Sequence, residues 1–79
     1  MKLSVKSLKG IEFEGDASFL NIKTASGEIT VLDHHRPLVT LLAKGEAVIK
    51  THGDGEKRIA VESGFLEVED TNSVTVLID

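Results

Sequence analysis

The 79-residue chain contains no cysteine, tryptophan or tyrosine, and a single proline. Without cysteine there is neither a disulfide nor a thiolate metal site. That composition fits a reducing compartment without requiring one. Three phenylalanines are the whole aromatic complement, which leaves almost nothing on which nucleobases could stack. Basic charge is scarce as well. Nine Lys and Arg against thirteen Asp and Glu give a formal net charge of −4, and only Lys57-Arg58 adjoin. Neutralising phosphates needs clustered cations, so no nucleic-acid partner is expected. Long apolar runs are also missing. The stretch from Leu38 to Ala43 is interrupted by Thr40 and is far short of a membrane span. The opening Met1-Lys2-Leu3-Ser4-Val5-Lys6 has no apolar signal-peptide core. Any work at a membrane is therefore expected to go through partners, with no direct insertion.

What is present is alternation. Leu3 and Val5 alternate with Lys2, Ser4 and Lys6; Ile11 and Phe13 with Glu12 and Glu14; Leu20 and Ile22 with Asn21 and Lys23. Ile59 and Val61, and later Val74, Val76 and Ile78, repeat the pattern. Period two over short runs is the mark of half-buried strands. Turn residues separate the runs at Lys9-Gly10, Gly15-Asp16, Ser26-Gly27, Lys44-Gly45, Gly53-Asp54-Gly55 and Asp70-Thr71-Asn72. Pro37 forces an extended or turn geometry on Arg36, and Pro37 to Lys44 reads as a short strand or a single turn. One all-β domain over residues 1–79 follows, a small sandwich or flattened barrel of nine or so short strands with an aliphatic core. Phe19, Leu32, Val48, Phe65 and Leu77 fall on the opposite phase. They either fill the edges of the sandwich or form an exposed patch, which commonly marks a protein partner.

Catalytic signals are weak. Asp33-His34-His35 is the most tempting metal cluster, but adjacent residues of an extended chain point to opposite faces. Further ligands would have to come from His52 or Asp54 in another turn. Ser63-Gly64 lacks the Gly-x-Ser-x-Gly elbow of a nucleophile. Glu67 and Glu69 share a strand face about 7 Å apart, as solvated carboxylates commonly do. Gly53-Asp54-Gly55 lacks the Lys-Ser/Thr of a phosphate loop and the ligand series of a calcium loop. The residues therefore predict no catalytic group, no cofactor and no metal. Two alternatives stay open: a small metal-binding β domain, and a lipoyl- or biotinyl-type carrier. The carrier would need a modifiable Lys beside Met or Asp at a hairpin tip, and Lys44 has no such neighbours.

From Gly27 onward the sequence resembles a known family. Gly27-Glu28-Ile29-Thr30-Val31-Leu32, then His35-Arg36-Pro37-Leu38, a short apolar segment and Gly45 resemble the signature of F-type ATP synthase epsilon subunits. Ile59-Ala60-Val61-Glu62-Ser63-Gly64-Phe65-Leu66-Glu67-Val68, followed by Asn72 to Leu77, resembles a second family stretch at family spacing. Met1 to Val5 with Phe13-Glu14-Gly15 resembles its opening. The resemblance covers essentially the whole chain, and what it implies is the N-terminal β-sandwich domain, of about ten strands. It implies a non-catalytic central-stalk role in a hetero-oligomeric complex at the cytoplasmic face of a bacterial plasma membrane. The partners would be the gamma subunit and the c-ring, with Gly27 and Glu28 facing the ring loops. His35, Arg36 and Pro37 would lie near both partners, and Phe65 on an interface. Two departures stand out: Asp33-His34 occupies a place where the family commonly has Pro-Gly, and Glu62-Ser63 precedes Gly64 where a Gly pair is common. The C-terminal helical hairpin of many members has no counterpart here. Neither nucleotide binding nor inhibition of ATP hydrolysis is expected of these 79 residues.

Overall fold

The computed structural model describes residues 1–53 and 55–79; Asp54, named above as a possible ligand, lies outside the described residues. Eight strands are found among them: β1 (Lys2–Ser7), β2 (Gly10–Thr24), β3 (Gly27–Leu32), β4 (Leu38–Leu42), β5 (Gly45–Thr51), β6 (Glu56–Val61), β7 (Gly64–Val68) and β8 (Ser73–Ile78). The all-β expectation holds. The strands are fewer than nine or ten because β2 runs unbroken through 15 residues. The segment after Pro37 is a strand, as its Val39 and Thr40 favour.

Strand β2 organises the domain. Its first half pairs antiparallel with β1, and its second half with β3 on one side and β5 on the other. At its end Thr24 pairs with Leu42 of β4. Strand order β1-β8-β7-β4-β2-β5-β6, with β3 beside β2 and β1 also beside β2, bends the network into a flattened ring. One layer holds β1, β8, β7, β4 and the start of β2; the other holds the rest of β2 with β3, β5 and β6. The β1–β8 pair is parallel and every other pair antiparallel.

A strand that serves two layers must change which side chains face inward, and two register shifts do this. Val5 pairs with Phe13 but Lys6 pairs with Ile11, so Glu12 is an extra residue. This bulge turns Ile11 outward, where it is exposed although the alternation placed it with Phe13. The bulged Glu12 carbonyl accepts a hydrogen bond from Lys57 Nζ at 2.8 Å. The second shift lies between Ala17 and Phe19, and the extra Ser18 donates to the Lys50 carbonyl at 3.1 Å. Ala17 faces inward before it, Leu20 and Ile22 after it.

The core is aliphatic, as read from composition. Leu3, Val5, Leu20, Ile22, Val31, Ile49, Leu66 and Val76 are its largest fully buried side chains, while Phe13 packs only partly against it. The predicted inward residues Ile59, Val61, Val74 and Ile78 are buried too. Gly64 is indispensable to the closure of β7 on β8. Its φ is +149°, and a Cβ there would lie 2.0 Å from the Leu77 carbonyl oxygen and 3.0 Å from Ile78 Cα. The close approach that Glu62-Ser63 put in question is made by Gly64 alone.

Charge fixes the beginning of β1. The Met1 amine is paired with the Asp33 carboxylate, lies 3.3 Å from Asp16 Oδ1, and donates to the Ala17 carbonyl at 2.9 Å. His52 Nε2 reaches Asp16 Oδ2 at 2.9 Å. The bond from the Met1 amine, seconded by one from Asn72, holds the Asp33 carboxyl below its ordinary range. Asp33 in turn raises the amine above its ordinary value of 8.0, outweighing the burial that lowers it.

Two outcomes are expected. Gly64→Ala should cost about 3 kcal/mol, from a strained φ together with backbone overlap, read as a lowered urea midpoint with unchanged slope. The second concerns pH. A depressed carboxylate stabilises above its unfolded pKa, and the benefit is lost as pH falls through the folded value. A raised amine stabilises below its unfolded pKa, and the benefit is lost as pH rises through the folded value. The stability gap between wild type and Asp33→Asn should therefore be widest between about pH 5 and pH 8 and narrow on both sides. A gap independent of pH in urea titrations would show that the pair contributes nothing.

Candidate functional site

The residues singled out in the sequence lie in three places. Gly27 and Glu28 begin β3 at the β2–β3 hairpin, whose two-residue connection is Ala25-Ser26. Thr24, a buried polar residue, sets this turn: its Oγ1 donates to the Gly27 carbonyl at 2.7 Å and accepts from the Ser26 amide at 3.1 Å. Gly27 has a φ of +121° with open space around it. Glu28 is exposed and accepts from Asn21 Nδ2 at 3.1 Å. The hairpin is anchored to β4, since the Ala25 amide donates to the Leu41 carbonyl.

His35, Arg36 and Pro37 follow the other end of β3. A six-residue strand separates them from Gly27, a span of roughly 20 Å, so the fold does not bring these two groups together. Arg36 and Pro37 are exposed; His35 is half-buried, its Nδ1 2.8 Å from the Arg36 carbonyl. The loop opens with a turn in which the His35 amide donates to the Leu32 carbonyl at 3.2 Å. Within it His34 adopts a φ of +61°, a left-handed conformation costly for a residue other than Gly or Asn. This is the position where the family resemblance set His34 against Gly. Asn72, at the β7–β8 turn and itself at φ +58°, reaches this loop from across the sheet.

Phe65 lies on the outer face of β7. It is directly opposite Leu41 of β4 on one side and Leu77 of β8 on the other. Leu41, Phe65 and Leu77 are 55%, 53% and 48% exposed, so they form an apolar row about 10 Å wide across three strands. Val39, opposite Glu67, extends it along β4 and is exposed as well. A groove of ≈ 250 Å³ runs between Val39, Phe65, Glu67, Thr75 and Leu77. Lys6, opposite Leu77 on β1, bounds the row with charge. Of the opposite-phase residues, Leu32, Phe65 and Leu77 are exposed, whereas Phe19 and Val48 are half-buried. Sequence reasoning missed Leu41 and Val39 because they sit in a nearly continuous apolar run, which carries no phase.

The remaining candidates form no reactive constellation. Among the described residues, no three His, Asp or Glu side chains gather to hold a metal. His34 and His52 are exposed, and His52 is engaged with Asp16. The Ser63 hydroxyl donates to Asp79 Oδ2 at 2.6 Å, which draws the Asp79 carboxyl below its ordinary range. Lys44 lies in the β4–β5 connection, 3.8 Å from Glu62 Oε2. Arg58 pairs with Glu46 and Glu56 on the opposite layer, and these bonds raise its already high pKa further. What the described surface offers is an apolar row, a polar hairpin and a charged loop.

Comparison with known proteins places this geometry. The profile of the ATP synthase Delta/Epsilon chain β-sandwich domain matches residues 1–79. The ATP synthase epsilon chain of Brevibacillus brevis is 35% identical over 79 residues, covering 100% of this chain and 59% of that protein. That of Bordetella avium is 37% identical over 79 residues, covering 55% of its length. The chain thus spans a little over half of these two curated relatives. In fold it is similar to a chain of the Euglena gracilis mitochondrial ATP synthase, with a TM-score of 0.92 at 24% identity over 99% of this chain and 49% of that one. It is also similar to one from the Tetrahymena thermophila mitochondrial ATP synthase central stalk and c-ring, with a TM-score of 0.85 at 13% identity over 99% of this chain and 62% of that one. The match along its whole length shows that the chain belongs to the ATP synthase Delta/Epsilon β-sandwich domain family.

Proposed function

We propose that the domain is a non-catalytic docking module of the central stalk of a rotary ATP synthase, joining the gamma subunit to the c-ring. In this reading the complex lies at the cytoplasmic face of a bacterial plasma membrane, and the domain is held there by its partners. The observation that carries the reading is the exposed row Leu41–Phe65–Leu77 in a chain of this family. Apolar side chains aligned over three strands and rimmed by Lys6 and Glu67 have the make-up of an interface centre with a polar margin. The gamma subunit is assigned to this face. The polar loops of the ring are assigned to Gly27-Glu28 and to His35-Arg36-Pro37, which present a carboxylate, an imidazole and a guanidinium on short, well-anchored connections. Because the two groups stand at opposite ends of β3, each is assigned its own contact. No observation favours a carrier domain: Lys44 is next to Glu62 in a connection between strands that do not pair with each other.

Titration of the chain with the gamma subunit of the same organism tests this assignment. A one-to-one complex is expected. Phe65→Asp should weaken it by about 2 kcal/mol or more, the range of a central interface residue, at a temperature well below its thermal midpoint, where the variant is still folded. Arg58→Ala, on the other layer, should leave the affinity unchanged. Equal loss in both variants, or none in Phe65→Asp, would remove gamma from this face.

A further inference from the structure

We infer that Asn72, in the β7–β8 turn, is the positioning residue of the β3–β4 loop, holding in place from 38 residues away the turn that presents His35, Arg36 and Pro37. For the use of that loop in docking, the inference rests on the function proposed above; for its order, it stands on contacts alone.

The problem that Asn72 solves is local. His34 at φ +61° is strained, and such a conformation persists only where its surroundings over-determine it. The loop's own backbone supplies one bond, from the His35 amide to Leu32. The Met1 amine pairs with Asp33 and His35 Nδ1 meets the Arg36 carbonyl, but the bond at the strained residue His34 itself comes from the side chain of Asn72. Its Oδ1 accepts the His34 amide at 2.8 Å, and its Nδ2 donates to Asp33 Oδ1 at 3.3 Å. One planar amide thus grips two consecutive loop residues with its acceptor and its donor, in the orientation only Asn or Gln could offer. Asn72 is fixed in turn. Its backbone carbonyl accepts the Lys2 amide at 3.0 Å, and its φ of +58° is one Asn tolerates. The same Asp33 Oδ1 also accepts from the Met1 amine. Three chain segments therefore meet at this amide: the start of β1, the β3–β4 loop and the β7–β8 turn. The turn joins the strands that carry Phe65 and Leu77, so the apolar face and the charged loop are parts of one rigid piece.

Amide hydrogen exchange by NMR tests this on the 79-residue chain. In Asn72→Gly, which removes the side chain but keeps the positive φ that alanine would strain, exchange at His34 and His35 should quicken roughly tenfold, the loss of one side-chain bond at each contact, with Leu20 and Val76 little changed. The exchanged pair Asp33→Asn with Asn72→Asp restores an acceptor for His34 and a donor–acceptor bond between positions 33 and 72. It should recover much of the loop's protection, short of wild type because the Met1 amine loses its carboxylate partner, while Asn72→Asp alone, which sets two carboxylates together, should not. Loop exchange that stays slow in Asn72→Gly, or that quickens only together with Leu20 and Val76, would overturn the inference. Binding to the purified c-ring of the same enzyme is then measured on the same proteins. Loss in Asn72→Gly and recovery in the exchanged pair would extend the positioning role to docking. Unaltered binding by a loosened loop, or none by wild type, would reject the docking assignment of the loop while leaving the exchange result to decide the role of Asn72.

Discussion

The structure depends on one strand belonging to two layers. Side chains of a strand alternate without exception, so a straight 15-residue β2 would offer the same phase to both layers and could satisfy only one. The extra residues Glu12 and Ser18 break that constraint. Each disturbs the ladder where a donor is on hand: Lys57 for the Glu12 carbonyl, and the Ser18 hydroxyl for the carbonyl of Lys50. The bulges let β1 and β8 close one layer and β3, β5 and β6 the other around a single aliphatic core. A domain this small hides only roughly 60% of the surface its unfolded chain exposes. Sharing a strand between layers lets every core residue be packed from both sides.

Much of this was legible in the sequence, and the exceptions have physical causes. Leu3, Val5, Leu20, Ile22, Ile59, Val61, Val74, Val76 and Ile78 were identified by alternation, and all are buried. Ile11 was not distinguishable from them, because a bulge is a property of two paired strands and leaves no mark in one. The change of phase between Phe13 and Leu20 was visible as an odd-to-even shift, but its location at Ser18 was not. Leu32, Phe65 and Leu77 stood out as opposite in phase, yet exposure depends on which layer covers which face, and only the topology decides that. The grip of Asn72 on Asp33 and His34 was out of reach for a related reason. It spans 38 residues, and Asp70-Thr71-Asn72 reads fully as turn chemistry.

The departure of Asp33-His34 from the Pro-Gly that the resemblance implies at this place has a physical reading. A Pro-Gly turn is pre-set by the ring of one residue and the freedom of the other. Here neither device is present, and His34 must be driven into the left-handed region. The restraint in this chain lies in side chains: Asp33 and Asn72 supply through hydrogen bonds and charge what a Pro-Gly turn would supply through covalent geometry. A covalent restraint is indifferent to solution conditions, whereas one built on a carboxylate and an amine depends on both being ionised.

That restraint bears on what the proposed stalk module needs. Coupling between two partners is transmitted only if the body between them deforms less than the contacts at its ends, so loops that touch a partner must be as stiff as the sheet behind them. The β2–β3 hairpin meets this demand through its neighbours, with Thr24 closing the turn and Leu41 holding Ala25. The β3–β4 loop has no paired strand alongside, since β3 and β4 both turn to other partners. Its stiffness has to be brought in from elsewhere in the fold, and the β7–β8 turn is the element within reach. A surface loop of five residues held by a distant turn is an expensive arrangement in ordering entropy. It is reasonable only where the loop's geometry matters to something outside the domain.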